Sequence, residues 1–259
     1  MHTLLTLKLP VIAACSLFVL LSQAASNIVA GEVRAVAEID VAELAKAELL
    51  QSPARPLGLE IAAPVQANPN DEAYLNFMEY GLGPVMSFID GVYAEKENIT
   101  EVTQNFDLSQ LQLDKDSNVR VYFLKEGTTH RNTLGIDIEG EQKLIFPNAS
   151  SAHSYFRDGD TKSEYTSKAI PLLPGDYVDV GQLRAGSLVD FFLIQNGASN
   201  ENGVVFWCDA AMNSDLQNHV KLLAVYEQNT YIIGFEDLPG GGDKDFNDLV
   251  IAVKIDPIS

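Results

Sequence analysis

Short runs of apolar residues, separated by polar turns, fill the chain beyond about residue 105. The runs are rich in β-branched and aromatic residues, and Gly, Asn, Asp and Pro stand between them, which is the pattern of β-strands. Strands are predicted at residues 119–125, 134–138, 143–146, 177–180, 188–195, 204–207, 221–226, 231–235 and 249–255. No helical pattern separates these runs, so the sequence predicts a mainly all-β domain over residues 105–259, an antiparallel β-sandwich or jelly roll.

The preceding region has a different pattern. Residues 25–104 are predicted to form a short helical or extended N-terminal region, because prolines interrupt the stretch from Pro53 to Pro69. A helix is predicted to begin at Asn70 and Asp71, which are good N-terminal capping residues. We expect that helix to break between Gly81 and Pro84.

The first 24 residues carry the features of an export signal. Lys8 precedes an apolar run at residues 9–21, and small residues follow before Ala25. This pattern predicts a signal peptide cut after Ala24, a secreted, periplasmic or cell-surface protein, and no transmembrane segment in the mature chain. A lipidated N-terminus at Cys15 is the alternative. Cleavage would leave Cys208 as the single cysteine, which we expect to be buried.

Charge narrows the choice of partners. The chain has 17 Lys and Arg against 36 Asp and Glu, and its formal net charge is −19. A protein that binds nucleic acid neutralises phosphates with clustered cations, so this balance excludes general nucleic-acid binding. The acidic charge is compatible with the binding of divalent cations, which an exported protein meets outside the cytoplasm.

The densest set of oxygen ligands lies near the C-terminus. Asp243, Asp245 and Asn247 alternate in the D-x-D-x-N order that brings oxygen atoms round a hard cation. Oxygen ligands favour Ca²⁺ over zinc or copper, so Ca²⁺ is the predicted cofactor. A solvated acidic hairpin is the alternative. The glycines that precede the acids permit a tight loop with positive φ angles: Gly240, Gly241 and Gly242.

These residues resemble a known family. The run GFEDL at residues 234–238, followed by GGDKDFNDLV at residues 241–250, is similar to the C-terminal signature of the DUF4114 domain. The resemblance covers residues 178–253. Upstream, Asn213, Asp215 and His219 are similar to an Asn, Asp and His of the same family.

The resemblance implies a calcium-associated, β-rich module of secreted or adhesin-like bacterial proteins, with no established enzymatic activity. By matching position, its loop ligands would be Asp243, Asp245, Asn247 and Asp248, with Glu236 or Asp237 closing the site. Neighbours in extended backbone point to opposite faces, so we expect only one of Asn247 and Asp248 to face the ion.

Two weaker signals have ordinary structural interpretations. His219 could orient the loop or act as a base, but a hydrogen-bonded structural histidine is the favoured interpretation. Asp114, Asp116 and Asn118 repeat the D-x-D-x-N order and could form a second cation loop, although these residues are also typical of a polar turn.

The predicted function is a secreted calcium-binding β-domain that acts as a non-catalytic structural or interaction module. Its partner would be an extracellular macromolecule or a glycan. A calcium-dependent carbohydrate-binding domain, with Trp207 as a stacking face, is one alternative. An extracellular hydrolase is a weaker one, because the chain contains no G-x-S-x-G, H-E-x-x-H or C-x-x-C motif.

Overall fold

The computed structural model describes residues 52, 54–94, 104–105, 107, 111–150, 172–226 and 229–258, all within a compact unit spanning Glu48–Ser259. The predicted signal peptide at residues 1–24, Cys15 and the predicted N-terminal region up to residue 51 lie outside the described residues. No described helix is both long enough and apolar enough to cross a membrane.

Every predicted strand coincides with an observed one. The strands are β1 (Gln104–Asn105), β2 (Ser117–Lys125), β3 (Thr133–Ile138), β4 (Glu141–Phe146), β5 (Tyr177–Leu183), β6 (Val189–Ile194), β7 (Val205–Trp207), β8 (Val220–Tyr226), β9 (Thr230–Phe235) and β10 (Leu249–Pro257). Among the described strands only β1, which has 2 residues, was not predicted.

The strands form two antiparallel sheets. A 6-stranded sheet has the order β1-β8-β9-β10-β2-β5, and a 4-stranded sheet has the order β4-β3-β6-β7. Both contribute to one core, in which Phe123 and Ile251 of the larger sheet are buried with Phe191 and Phe206 of the smaller one. The predicted antiparallel β-sandwich is confirmed. Cys208 is also buried in this core, as predicted.

One face of β10 lines the sandwich core, because Leu249, Ile251, Val253 and Ile255 all belong to it. The other face of the larger sheet is apolar as well, and a helical layer covers it. Tyr122, Leu124, Ile232, Val250 and Ala252 from the sheet pack with Phe77, Val85, Ile89 and Tyr93 from the helical layer.

The helical layer is continuous. It consists of α1 (Glu72–Asn76), a π-helical turn (Phe77–Gly81) and α2 (Leu82–Ala94). Asp71 caps its start by accepting a hydrogen bond from Tyr74 N–H at 3.1 Å, as predicted. The predicted break before Pro84 is wrong. In the widened turn Leu82 N–H bonds to Phe77 C=O, and the helix passes the proline, which has no N–H to donate.

Polar contacts hold the start of the helical layer against the sheet. Asp71 Oδ2 lies 2.8 Å from Arg120 Nη2 of β2 and accepts a hydrogen bond from Tyr177 O–H of β5 at 2.8 Å. The far end of α2 reaches the loop between β9 and β10, where the acidic residues lie. The helical layer therefore touches the part of the sandwich that carries the candidate site.

Candidate metal centre

The acidic loop joins two adjacent strands of the larger sheet. β9 ends at Phe235 and β10 begins at Leu249, and these two residues are paired across the ladder. Between them, Gly240, Gly241 and Gly242 have φ angles of 80°, 82° and 50°. The prediction that the glycines form a tight loop with positive φ angles is confirmed, and the acidic residues of the loop are folded back toward the end of β9.

Three predicted ligands meet in this loop. Glu236, Asp243 and Asp245 each offer one carboxylate oxygen, and these oxygens all lie within 4.8 Å of one another. Among the described residues no other set of three acidic, histidine or cysteine side chains comes so close. At that distance each pair of charges repels by roughly 3 kcal/mol at an effective dielectric of about 20. The arrangement is able to hold one metal ion.

Glu236 is the deepest of the three. Its side chain is 0% exposed, and its Oε1 accepts a hydrogen bond from Phe246 N–H at 2.7 Å. Its Oε2 is buried without a hydrogen-bond partner among the described residues. Burial raises the pKa of Glu236 to about 7, and the charges of Asp245 and Asp243 act in the same direction. The environment therefore disfavours the ionised form unless a positive charge compensates it.

Asn247 contacts Asp245 through two donors. Its backbone N–H donates to Asp245 Oδ1 at 3.1 Å, and its side-chain amide donates to Asp245 Oδ2. The amide oxygen of Asn247 faces Gly127 in the loop after β2, where a Cβ atom would come within 2.2 Å of it. The structure thus places Asn247 as the residue that orients Asp245, with its own oxygen turned to that loop.

The remaining predicted ligands, Asp237 and Asp248, contact each other and do not belong to the group of three carboxylates. Asp248 Oδ2 accepts a hydrogen bond from Asp237 N–H at 2.8 Å. Burial and the charge of Asp237 raise the pKa of Asp248 well above its usual range. Asp237 is buried and accepts from Asn132 Nδ2 at 2.6 Å, while His130 Nδ1 lies 3.1 Å from its other oxygen. This group connects the larger sheet to the smaller one.

Strand alternation explains the separation of Glu236 from Asp237. Ile233 and Phe235 point into the sandwich core, and Ile232 points toward the helical layer. Continuing that alternation beyond β9 sends Glu236 to the helical side and Asp237 toward the smaller sheet. The sequence leaves open which of the two would close the site, and the structure places Glu236 with the loop acids.

Asp215 holds the glycine loop from outside. Its Oδ2 accepts hydrogen bonds from Gly240 N–H at 2.6 Å and lies 2.9 Å from His219 Nε2. Burial raises the pKa of Asp215, but the donors Gly240, Gln217 and His219 outweigh that effect and bring it to about 2. Asp215 therefore stays ionised and fixes the loop through the Gly240 amide.

His219 has the structural role that the sequence favoured. It is fully buried, its ring stacks on that of Phe206 at 4.0 Å between centroids, and its Nδ1 lies 3.3 Å from Glu236 C=O. Asn213 closes the adjacent turn, because its Oδ1 accepts from Trp207 N–H at 2.7 Å. His219 therefore supports the segment from which Glu236 projects, Asp215 supports the glycine loop, and Asn213 holds the turn before β8.

The second D-x-D-x-N sequence lies at the start of β2. Asp116 Oδ1 accepts a hydrogen bond from Ala185 N–H at 2.9 Å, and Asp114 and Asn118 are exposed. Asp116 thus has the contact expected of a residue in a polar turn.

Several residues of this region had no signal in the sequence. His130, Asn132 and Gln195 come from the smaller sheet and its loops, and Gln195 Nε2 donates to Asp237 C=O at 2.7 Å. Tyr93 comes from the helical layer and donates to Phe246 C=O at 2.9 Å. Asn132 and Asp237 are 105 residues apart in the chain, so no local motif connects them.

An antiparallel β-sandwich with an acidic loop between its last two strands is the class of protein that this fold and site define. Residues 183–256 match the model of a family described as a domain of unknown function, DUF4114. The match agrees with the resemblance over residues 178–253 and confirms a DUF4114 domain in that part of the chain. The matched region includes β6 to β9, nearly all of β10 and the whole acidic loop. No curated protein and no solved structure matches this chain.

Proposed function

We propose that this protein binds one Ca²⁺ ion through Glu236, Asp243 and Asp245. The observation that carries the proposal is the Oε2 atom of Glu236, which is buried and lacks a hydrogen-bond partner. It belongs to a carboxylate that offers one oxygen within 4.8 Å of oxygens of both aspartates. Burying an ionised carboxylate without a partner costs roughly several kcal/mol of desolvation free energy, and a bound cation offsets that cost.

The ligand chemistry favours Ca²⁺ among the common divalent ions. All three groups are carboxylates, and hard cations prefer oxygen ligands, whereas zinc and copper sites normally include sulfur or imidazole. Ca²⁺ accepts about six to eight oxygens in an irregular arrangement, so water or an external ligand would complete its coordination. Asp243 is exposed, which leaves one side of the proposed site open to such a ligand.

The role that we propose is a secreted, non-catalytic structural or interaction module whose partner is an extracellular macromolecule or a glycan. The ion would hold the loop between β9 and β10 closed and so keep its surface in one conformation. A ligand that binds only the folded state adds about 2.7 kcal/mol to the free energy of unfolding at 100 times its dissociation constant. The closed loop would therefore depend on the calcium concentration outside the cell.

Calcium titration of the full chain tests this proposal. We expect isothermal titration calorimetry of chelator-treated protein to show one site for Ca²⁺ and weaker binding of Mg²⁺. The Asp245→Asn variant is expected to bind Ca²⁺ at least about tenfold more weakly, because it removes one of three charged ligands. Asp114→Asn is the matched control, since it makes the same change in the exposed second D-x-D-x-N sequence.

Two results would contradict the proposal. One is the absence of a heat of binding at millimolar Ca²⁺ with correctly folded protein. The other is an equal loss of affinity in Asp245→Asn and Asp114→Asn, which would mean that Ca²⁺ binds through general surface charge.

A further inference from the structure

One residue of the acidic loop connects the proposed ion ligand to the helical layer. Phe246 N–H donates to Glu236 Oε1 at 2.7 Å, and Phe246 C=O accepts from Tyr93 O–H at 2.9 Å. Phe246 has a φ angle of 53°, a conformation that a bulky residue adopts only when its surroundings hold it there. The backbone of Phe246 therefore connects Glu236 to the last turn of α2 through two hydrogen bonds.

The side chain of Phe246 makes the same connection through packing. It is 3% exposed and belongs to the apolar cluster that includes Val85, Ile89 and Tyr93 of α2. Lys221 Nζ lies 5.3 Å from the centre of its ring. The acidic loop thus contributes a large apolar side chain to the contact between the helical layer and the sheet.

Gly234 of β9 shows how closely the backbone of Phe246 packs against this strand. A Cβ atom at Gly234 would lie 2.3 Å from Phe246 C=O, which belongs to the backbone and is not free to rotate away. The backbone of the loop therefore rests directly on β9. An opening of the loop would move Phe246 away from β9, α2 and Glu236 together.

We propose that Tyr93 is a positioning residue for the cation site and that ion binding and docking of α2 are coupled. This inference rests on the proposed calcium site. Without a cation, repulsion among Glu236, Asp243 and Asp245 favours an open loop, which withdraws Phe246 from the helix and removes the acceptor of the Tyr93 hydroxyl. With the ion bound the loop closes and restores both contacts. Thermodynamic linkage makes the effect reciprocal, so docked α2 also strengthens ion binding.

The test combines calcium affinity with hydrogen exchange of the full chain. In the wild type we expect saturating Ca²⁺ to slow amide exchange in peptides covering residues 82–94. Tyr93→Phe removes only the hydroxyl, and we expect it to weaken Ca²⁺ binding about fivefold, the typical effect of one hydrogen bond. In the same variant, the slowing of amide exchange by Ca²⁺ in residues 82–94 should be about fivefold smaller than in the wild type. Tyr80→Phe is the control, because Tyr80 lies in the same helical layer and is 64% exposed.

The outcomes separate the inference from the proposal beneath it. If the wild type does not bind Ca²⁺, the proposed function itself fails. If it binds Ca²⁺ but exchange in residues 82–94 is unchanged, the calcium site stands and the coupling is wrong. A purely structural Tyr93 would lower the stability of the calcium-free and calcium-bound forms equally, leaving the dissociation constant of Tyr93→Phe at the wild-type value. That result would also overturn the inference.

Discussion

Replacing Glu236 with glutamine is expected to abolish calcium binding and, in metal-free protein at pH 8, to raise the free energy of unfolding by about 2 kcal/mol. The two effects have opposite signs because, on the proposed function, Glu236 would be a ligand in the presence of the ion and an uncompensated buried charge in its absence. In the variant, the amide oxygen would still accept from Phe246 N–H, and the amide N–H groups would donate toward Asp243 and Asp245.

The pH dependence of wild-type stability follows from the same residue. The pKa of Glu236 is raised from 4.5 to about 7 in the folded state. Between these values the unfolded chain is ionised while the folded protein keeps the proton, so the stability of the metal-free protein falls as pH rises through this window. Each pKa unit is worth ~1.4 kcal/mol, which limits the loss from Glu236 to about 3 kcal/mol. The raised pKa of Asp248 adds a loss of the same sign.

Urea unfolding of chelator-treated protein between pH 4.5 and 8, with and without CaCl₂, measures both effects. Glu236→Gln should have a flatter pH profile in the absence of metal and should show no calcium-dependent gain in stability. Glu141→Gln is the control. The side chain of Glu141 is 81% exposed and its nearest cation, Lys143 Nζ, is 3.9 Å away, so its removal should change stability by less than about 0.5 kcal/mol. A metal-free Glu236→Gln protein less stable than the wild type would show that the ionised carboxylate is well accommodated without an ion.

The strands of this fold are readable from the sequence because each carries its own local pattern. β10 is one example, since apolar residues occupy positions 249, 251, 253 and 255 and the polar Lys254 between the last two marks the opposite face. The helical layer was harder to predict. The uninterrupted apolar segments at residues 121–124 and 249–253 do indicate burial on both faces of the larger sheet, but they do not say which segment covers the second face.

The candidate site was only partly predictable for a related reason. The D-x-D-x-N order identifies Asp243 and Asp245 because both candidate ligands lie in one loop. The partners of Asp237 lie on another sheet, and Tyr93 lies more than a hundred residues before Phe246, so chain proximity reveals neither. The role of Asn247 also depends on tertiary structure. Its oxygen faces Gly127 in the loop after β2, and its N–H groups donate to Asp245.

A single methyl group at Gly242 is expected to weaken calcium binding by about a hundredfold, the upper end of the ~10–100-fold cost of disturbing the surroundings of a metal ligand. A Cβ atom at this position would lie 2.4 Å from Glu236 Oε2. A calcium ion bound to that oxygen would itself lie at about 2.3 to 2.6 Å, so the methyl group would compete for the same space.

Gly240→Ala provides the control for Gly242→Ala, because both glycines have positive φ angles and lie in the same loop, but a Cβ atom at Gly240 meets nothing within 4 Å. Gly240→Ala carries a backbone penalty of about 1 kcal/mol for a left-handed alanine and keeps the N–H group that donates to Asp215. Gly242→Ala carries a larger penalty, roughly 1 to 3 kcal/mol, because Gly242 has φ 50° and ψ −133°, a combination that essentially only glycine adopts. The free energy of unfolding of both metal-free variants is therefore measured beside their calcium affinity. Calcium titration of the two variants should show near wild-type affinity for Gly240→Ala only. Equal weakening in both would assign the effect to loop strain, and normal binding by Gly242→Ala would mean that the ion does not lie beside Glu236 Oε2.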